Sequence, residues 1–263
     1  MKKKCVLCLF IAAMIFAMTG CGSETIDESK YFLYTPESGK NMPLVIVFHG
    51  YGETDNAGTT RTVSTLTDAG GQSKRPCYVL APHIEDDTFL AQTNREALYS
   101  EIKKISDNLI SKGKVDPARI YCMGNSFGGL STVEFLETYP EYVAGSIVMC
   151  PALTYSRDST TNLSGIKDIP IWFAHATNDN VIPVDVSRSA VMTLKAMGAE
   201  NVSLTEFSDQ EMLSCGALTG FHQADFAVMA DETFLEWLFS QKKIMAMQQL
   251  LPRKCINVRM LRV

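Results

Sequence analysis

An alternation runs through this chain and constrains its fold more than any other feature. Short apolar runs, most of them closed by Gly or Pro, are separated by longer stretches with helical periodicity. Leu44–Phe48 (LVIVF) is continuously apolar, the pattern of a strand buried on both faces. Tyr31–Thr35, Tyr78–Ala81, Arg119–Met123, Gly145–Cys150, Pro170–His175 and Val202–Phe207 read as further strands. Between them, Arg95–Lys112 places Leu98, Ile102, Ile105 and Leu109 at three- and four-residue spacing, an amphipathic helix ended near Gly113. Leu130–Thr138, Val186–Met197 and Asp231–Phe239 read as helices too, with Gly198 placed to close the second of these. Strands alternating with helices predict an α/β protein with a parallel sheet covered on both faces. Such sheets bind ligands at the carboxyl ends of their strands.

The two ends of the 263-residue chain break this pattern. Lys2-Lys3-Lys4 precede an apolar run from Cys5 to Met18, which is the layout of an export signal and is short for a membrane-spanning helix. Met18-Thr19-Gly20-Cys21 resembles the bacterial lipobox. The expected organisation is a signal peptide over 1–20, a lipidated Cys21 opening a polar tether over 21–30, and a folded domain over 31–243. Residues 244–263 then form an apolar, basic tail, read as a poorly ordered extension. The expected location is the cell surface, held to the membrane by the lipid on Cys21, with secretion after ordinary signal-peptide cleavage as the alternative. The net charge of -5 averages over these parts, because residues 21–243 alone hold 17 basic against 29 acidic side chains. So acidic a domain excludes nucleic-acid binding through a basic face. Cys5 and Cys8 fall within the signal. Cys77, Cys122 and Cys150 sit in or beside apolar runs and read as buried small hydrophobes rather than ligands.

Chemistry is concentrated at Gly124-Asn125-Ser126-Phe127-Gly128-Gly129, a G-x-S-x-G between an expected strand and an expected helix. Small residues are needed there because the chain turns too tightly for Cβ atoms at the flanks. The Ser oxygen then projects at a helix N-terminus, where negative charge is favoured. A seryl nucleophile needs a general base. Of the four histidines, His49, His83 and His175 each end an expected strand, and His222 stands late in the chain in Gly220-Phe221-His222. Hydrolases with this turn carry Ser, acid and His in that order, which selects His222. Asp179, just past the Pro170–His175 strand, is the leading acid; Asp185 and Asp209 compete with it. Asp185 also fits a helix-opening role. An oxyanion hole takes one backbone N–H from Phe127 and a second from His49-Gly50-Tyr51-Gly52, with Tyr51 preferred and Gly50 or Gly52 as alternatives. His49 itself reads as a residue that bonds loop backbone.

Together these stretches resemble the α/β-hydrolase superfamily. The matching segments are PLVIVFHGYGE, CYVLAPH, DPARIYCMGNSFGG, ETYPEYVAGSIVMCPAL, IPIWFAHATNDNVIPV and GFHQADF. Within the superfamily they are similar to the exported esterase and predicted-peptidase group, which includes feruloyl esterases, polyhydroxybutyrate depolymerases and the prolyl oligopeptidase catalytic domain. The resemblance implies an α/β-hydrolase fold with no large lid, because no long insertion separates Ala152 from Pro170. It implies an esterase with a Ser126–His222–Asp179 triad, acting on small or polymer-linked esters, carbohydrate-linked or feruloyl-type among them. Phe127 stands where the group more often has Met or Leu, and the Ile84–Asn94 loop lacks a frequent Trp.

Other classes are weighed against this one. Gly50-Tyr51-Gly52 lacks the third glycine of a dinucleotide-binding turn, with Asp55 in its place, and no H-E-x-x-H or paired C-x-x-C is present, so neither cofactor nor metal is expected. A prolyl-oligopeptidase-like peptidase and a non-catalytic binding lipoprotein of the same fold are the rival functions. The chain has no room for the gating domain of the first, and it keeps every residue the second would lose.

Overall fold

A computed structural model describes residues 29–37, 39–155, 163–218 and 220–243. The signal, Cys21, nearly all of the tether, Cys255 and the tail lie outside the described residues, as do residues 156–162 of the stretch in which a lid was discounted. Seven strands form one sheet: β1 (Tyr31–Tyr34), β2 (Met42–Phe48), β3 (Tyr78–Pro82), β4 (Val115–Asn125), β5 (Gly145–Met149), β6 (Ile171–Ala176) and β7 (Val202–Phe207). Their order across the sheet is β1-β3-β2-β4-β5-β6-β7, and every neighbouring pair is parallel except β1 with β3.

Both faces of the sheet are apolar, as the unbroken runs require. Leu44, Ile46 and Phe48 of β2 share one core with Leu80, Ile120, Cys122, Val148 and Phe173. Helices α4 (Gln92–Ser111), α5 (Phe127–Thr138) and α6 (Asp185–Ala196) cover that face with Tyr99, Ile102, Val133, Phe135, Val191 and Leu194. Val45, Val47, Tyr121, Met123, Ile147 and Ala174, the alternate residues, form the opposite core. There the cover comes from α1 (Arg61–Thr67), α7 (Asp209–Ser214), α8 (Ala224–Ala230) and α9 (Glu232–Ser240). Two more short helices, α2 (Ala69–Lys74) and α3 (Asp86–Leu90), lie in the connections either side of β3. Cys77, Cys122 and Cys150 are buried and unpaired, as expected of small core residues.

The register at the sheet centre decides where chemistry can sit. Phe48, the last residue of β2, pairs with Gly124, and Met149, the last of β5, pairs with Asn125. The chain leaving β2 therefore emerges directly beside the turn that leaves β4, at the carboxyl edge.

Candidate active site

The turn from β4 into α5 is forced by crowding. A Cβ at Gly124 would lie 2.3 Å from the Gly128 carbonyl oxygen, and one at Gly128 would lie 2.1 Å from that of Phe48. Neither contact is tolerable, so both positions are closed to any other residue. Between them Ser126 adopts φ 59° and ψ −120°. Such a conformation costs a non-glycine residue about 1–3 kcal/mol. Neighbours hold it there: the Ser126 N–H donates to Met149 O at 3.0 Å, and its carbonyl accepts from Leu130 and Ala152 at 3.1 and 3.0 Å. Helix α5 begins at Phe127, three residues earlier than its apolar periodicity suggests, so Ser126 is the residue immediately before the helix.

Ser126 Oγ lies 2.8 Å from His222 Nε2, and His222 Nδ1 lies 2.7 Å from Asp179 Oδ2. The carboxylate can only accept, so Nδ1 carries the proton, and Nε2 is left to accept from the Ser126 hydroxyl. Asp179 is buried and fully satisfied: its Oδ1 accepts from the Val181 and Ile182 N–H groups at 2.8 and 3.0 Å. Burial alone would raise this carboxyl. The hydrogen bonds from His175, His222, Ile182 and Val181 outweigh it and hold Asp179 well below the usual carboxylate range. The residue is thus a fixed negative charge at the back of the His222 ring.

The other acids are elsewhere. Asp185 opens α6 and pairs with Arg188 at 2.9 Å. Asp209 opens α7 behind a capping box formed by Ser208 and Glu211, and accepts from Asn178 Nδ2 at 2.9 Å. Neither touches His222. One contributor escapes a reading by chain order. His175 is fully buried, with Nε2 2.9 Å from Ile182 O and 3.3 Å from Asp179 Oδ2, while Nδ1 lies 2.8 Å from Ser187 Oγ. It buttresses the Asp179 loop; its spacing of four residues from Asp179 was the available signal. Cys150 lies below the same group. Its Sγ, an Asp179 oxygen and a His222 ring nitrogen are all within 4.8 Å of one another. The thiol donates to Asn125 Oδ1 at 3.0 Å, and burial pushes it far above its ordinary range, so it stays protonated.

The loop leaving β2 faces Ser126, and a Cβ at Gly50 would lie 3.7 Å from Ser126 Cβ. The three N–H groups weighed for the oxyanion differ in availability. That of Gly50 donates to Glu53 Oε2 at 2.7 Å, and that of Gly52 to Asp86 Oδ1 at 3.0 Å. The Tyr51 N–H has no acceptor among the described residues. The Phe127 N–H, first in α5, has none within its helix either. His49 bonds loop backbone as anticipated: its Nε2 accepts from the Ile84 N–H at 2.8 Å, and its Nδ1 donates to Gly50 O at 2.7 Å. Burial holds the ring below its ordinary range, which keeps it neutral in that role.

Two unlike surfaces flank Ser126. A cavity of about 220 Å³ is bounded by the β2 loop, Ser126 and His222, with Glu53, Thr62 and Asp225 among its polar walls. Continuing from Tyr51, which also lines this cavity, the rings of Tyr51, Phe127 and Tyr155 follow one another at 5.7 and 5.9 Å, and Phe89 closes the cluster at 5.4 Å from Phe127. Tyr51 and Tyr155 are exposed.

Residues 83–219, just over half of the chain, match the model of the phospholipase/carboxylesterase family. The chain is 25% identical over 175 residues to a 2-hydroxy-6-oxononadienedioate/2-hydroxy-6-oxononatrienedioate hydrolase of a Pseudomonas species, covering 63% of this chain and 58% of that protein. It is 26% identical over 160 residues to poly(3-hydroxyalkanoate) depolymerase C of Paucimonas lemoignei, covering 52% of this chain and 37% of the depolymerase. Among solved structures, a thermostable esterase superposes with a TM-score of 0.69 at 30% identity, covering 81% of this chain and 59% of the esterase. The chain thus spans only about a third to three fifths of the length of these relatives.

Proposed function

The chain belongs to the phospholipase/carboxylesterase family of α/β-hydrolases, and on that footing we propose that it is a serine hydrolase that cleaves carboxylic esters. The observation that carries this reading is the unbroken line Ser126 Oγ–His222 Nε2 and His222 Nδ1–Asp179 Oδ2, at 2.8 and 2.7 Å. Ser126 Oγ attacks the ester carbonyl while His222 Nε2 takes its proton. The new imidazolium is stabilised by Asp179, whose ionised form is secured by its four N–H donors. The tetrahedral oxygen is met by the N–H groups of Phe127 and Tyr51, at the amino end of α5 where its dipole adds to the attraction. His222 then gives its proton to the leaving alcohol oxygen. An acyl-enzyme remains on Ser126, and water attacks it with His222 again as base.

The flanks of Ser126 support a division of labour. The aromatic shelf of Tyr51, Phe127 and Tyr155 suits an apolar, flat portion of the substrate, and the cavity carrying Thr62 and Asp225 suits a hydroxylated one. Such a substrate is a small ester or an ester on a polymer chain. The basic and apolar sequence ahead of Cys21 supports a surface lipoprotein, with the enzyme tethered through that residue. Detergent-phase partitioning that survives Cys21→Ala would remove the anchor from this account.

The central test is covalent. A fluorophosphonate should label the wild-type protein and fail to label Ser126→Ala, and hydrolysis of short nitrophenyl esters should vanish with the label. A wild-type protein that takes no label would overturn the hydrolase reading. Proline amides, offered in parallel, separate ester from peptide cleavage.

A further inference from the structure

The loop that leaves β2 is held by carboxylates in a manner that ordinary loop packing does not need. Glu53 reaches back to the Gly50 N–H at 2.7 Å, and Asp86, at the start of α3, takes the Gly52 N–H at 3.0 Å. These are the two N–H groups on either side of Tyr51. The Gly50–Tyr51 peptide is fixed as well, because its carbonyl accepts from His49 Nδ1 at 2.7 Å. Carbonyl and N–H of one trans peptide point in opposite directions, so tying down the first aims the second. Ring packing reinforces the arrangement, with Phe89 of α3 5.5 Å from the His49 ring and 6.4 Å from that of Tyr51.

We propose that Glu53 and Asp86 are positioning residues for the oxyanion site. By occupying the Gly50 and Gly52 N–H groups, they leave the Tyr51 N–H as the one donor this loop presents to the reacting carbonyl. Two adjacent N–H groups turned inward would compete to pull the loop into other conformations. The clamps remove that choice before substrate arrives. The contribution is geometric and not electrostatic: a carboxylate beside a developing oxyanion repels it, so the charge works against catalysis while the hydrogen bond works for it. An uncharged acceptor of the same shape should therefore serve at least as well. The inference rests on the ester-hydrolase reading above and deepens it.

The test compares Glu53→Ala, Glu53→Gln, Asp86→Ala and Asp86→Asn in the full chain, with a nitrophenyl ester as substrate and a boronic acid as tetrahedral analogue. Removing an oxyanion donor outright lowers turnover about 10²–10³-fold. Loosening it through a lost clamp should cost kcat about tenfold, leave KM within twofold, and weaken the boronic acid in proportion to kcat. The Gln and Asn variants should match or exceed the wild-type kcat. Alanine variants within twofold of wild-type kcat would overturn the positioning role, and so would Gln and Asn variants as slow as alanine. Circular dichroism confirms that each variant is folded; where an alanine variant is not, Glu53→Met or Asp86→Leu, which keep bulk and lose the acceptor, takes its place with the same expected loss. A wild-type protein that neither hydrolyses the ester nor takes the fluorophosphonate label would sink the hydrolase reading and the positioning role with it. An active, labelled wild type with unaffected variants would sink the positioning role alone.

Discussion

Asp179→Asn is the most informative single change at this site. The carboxylate serves four donors: Val181 and Ile182 N–H on Oδ1, His222 Nδ1 on Oδ2, and His175 Nε2 at 3.3 Å from the same oxygen. An asparagine keeps two of these by placing its carbonyl oxygen toward Val181 and Ile182. Its NH2 group then faces His222 Nδ1, donor against donor. The imidazole resolves the conflict by moving its proton to Nε2, where it meets Ser126 Oγ, and the base is lost. Swapping the tautomer in this way lowers kcat by about 10⁴ in Ser-His-Asp hydrolases. That fall corresponds to about 5.5 kcal/mol of transition-state stabilisation. The effect on the fold should be smaller, about 1–3 kcal/mol, because one charged hydrogen-bonding group is exchanged for a neutral one. Ester turnover at pH 7, normalised to the folded fraction from thermal melts, separates the two. A folded Asp179→Asn protein retaining more than a tenth of wild-type kcat would refute the tautomer argument.

Two further outcomes follow from charges outside the Ser126–His222–Asp179 line. Arg95 and Glu134 form a buried two-point ion pair at 2.7 and 2.9 Å; Tyr99 adds a third bond to the carboxylate, and Arg95 also donates to Phe89 O. Glu134→Gln leaves an uncompensated buried guanidinium and should cost about 3–5 kcal/mol, whereas the paired change Arg95→Met with Glu134→Leu should recover most of it. Urea unfolding gives both values, and a double variant no better than the single one would contradict the expectation. Asp225 is pushed up to about 6, first by burial and then by the Glu53 charge, with Arg61 opposing. A carboxyl raised on folding contributes stability that is complete below its unfolded value near 4 and is lost as pH rises through 6. Asp225→Asn should therefore gain about 3 kcal/mol on the wild type at pH 7 and almost none at pH 3. An equal difference at the two pH values would count against it.

The sheet was legible because a strand buried on both faces has nowhere to place a polar residue, so LVIVF, YVLA and GSIVMC announce themselves. β4 begins earlier than its sequence suggests, at Val115, since Pro117 reads as an interruption; there the chain is irregular, with a register shift opposite Met42 and Leu44 and Asp116 bonded to the Ala118 N–H. The short helices were hidden for a different reason. α2 is AGGQSK, two glycines in six residues, and it stands on the Asp68 side chain, which accepts from the Gly71 N–H at 2.6 Å. α8 takes its shape from packing Ala224, Ala227 and Val228 against the sheet. Intrinsic preference says little about segments that tertiary contacts create. α7 did carry a sign, the spacing of Ser208 and Glu211 in its capping box. At the site, motif and chain order singled out Ser126, His222 and Asp179, whose side chains the structure brings into line at 2.8 and 2.7 Å. The carboxylate clamps on Gly50 and Gly52 were not, because Asp86 reaches its partner across 34 residues of sequence.

The line from Ser126 to His222 to Asp179 has a consequence for how this protein matures. Its links join residues 96 and 43 positions apart, carried on chain leaving β4, β6 and the region after β7. No fragment ending before His222 holds the full set, and closing such distant contacts is what slows folding in proteins of high contact order. On the reading proposed above, reactivity of Ser126 is expected only after β7 has joined the sheet and the chain beyond it carries His222 into place. A serine-directed label used during refolding would then be a clock for the docking of the segment from β7 through α9.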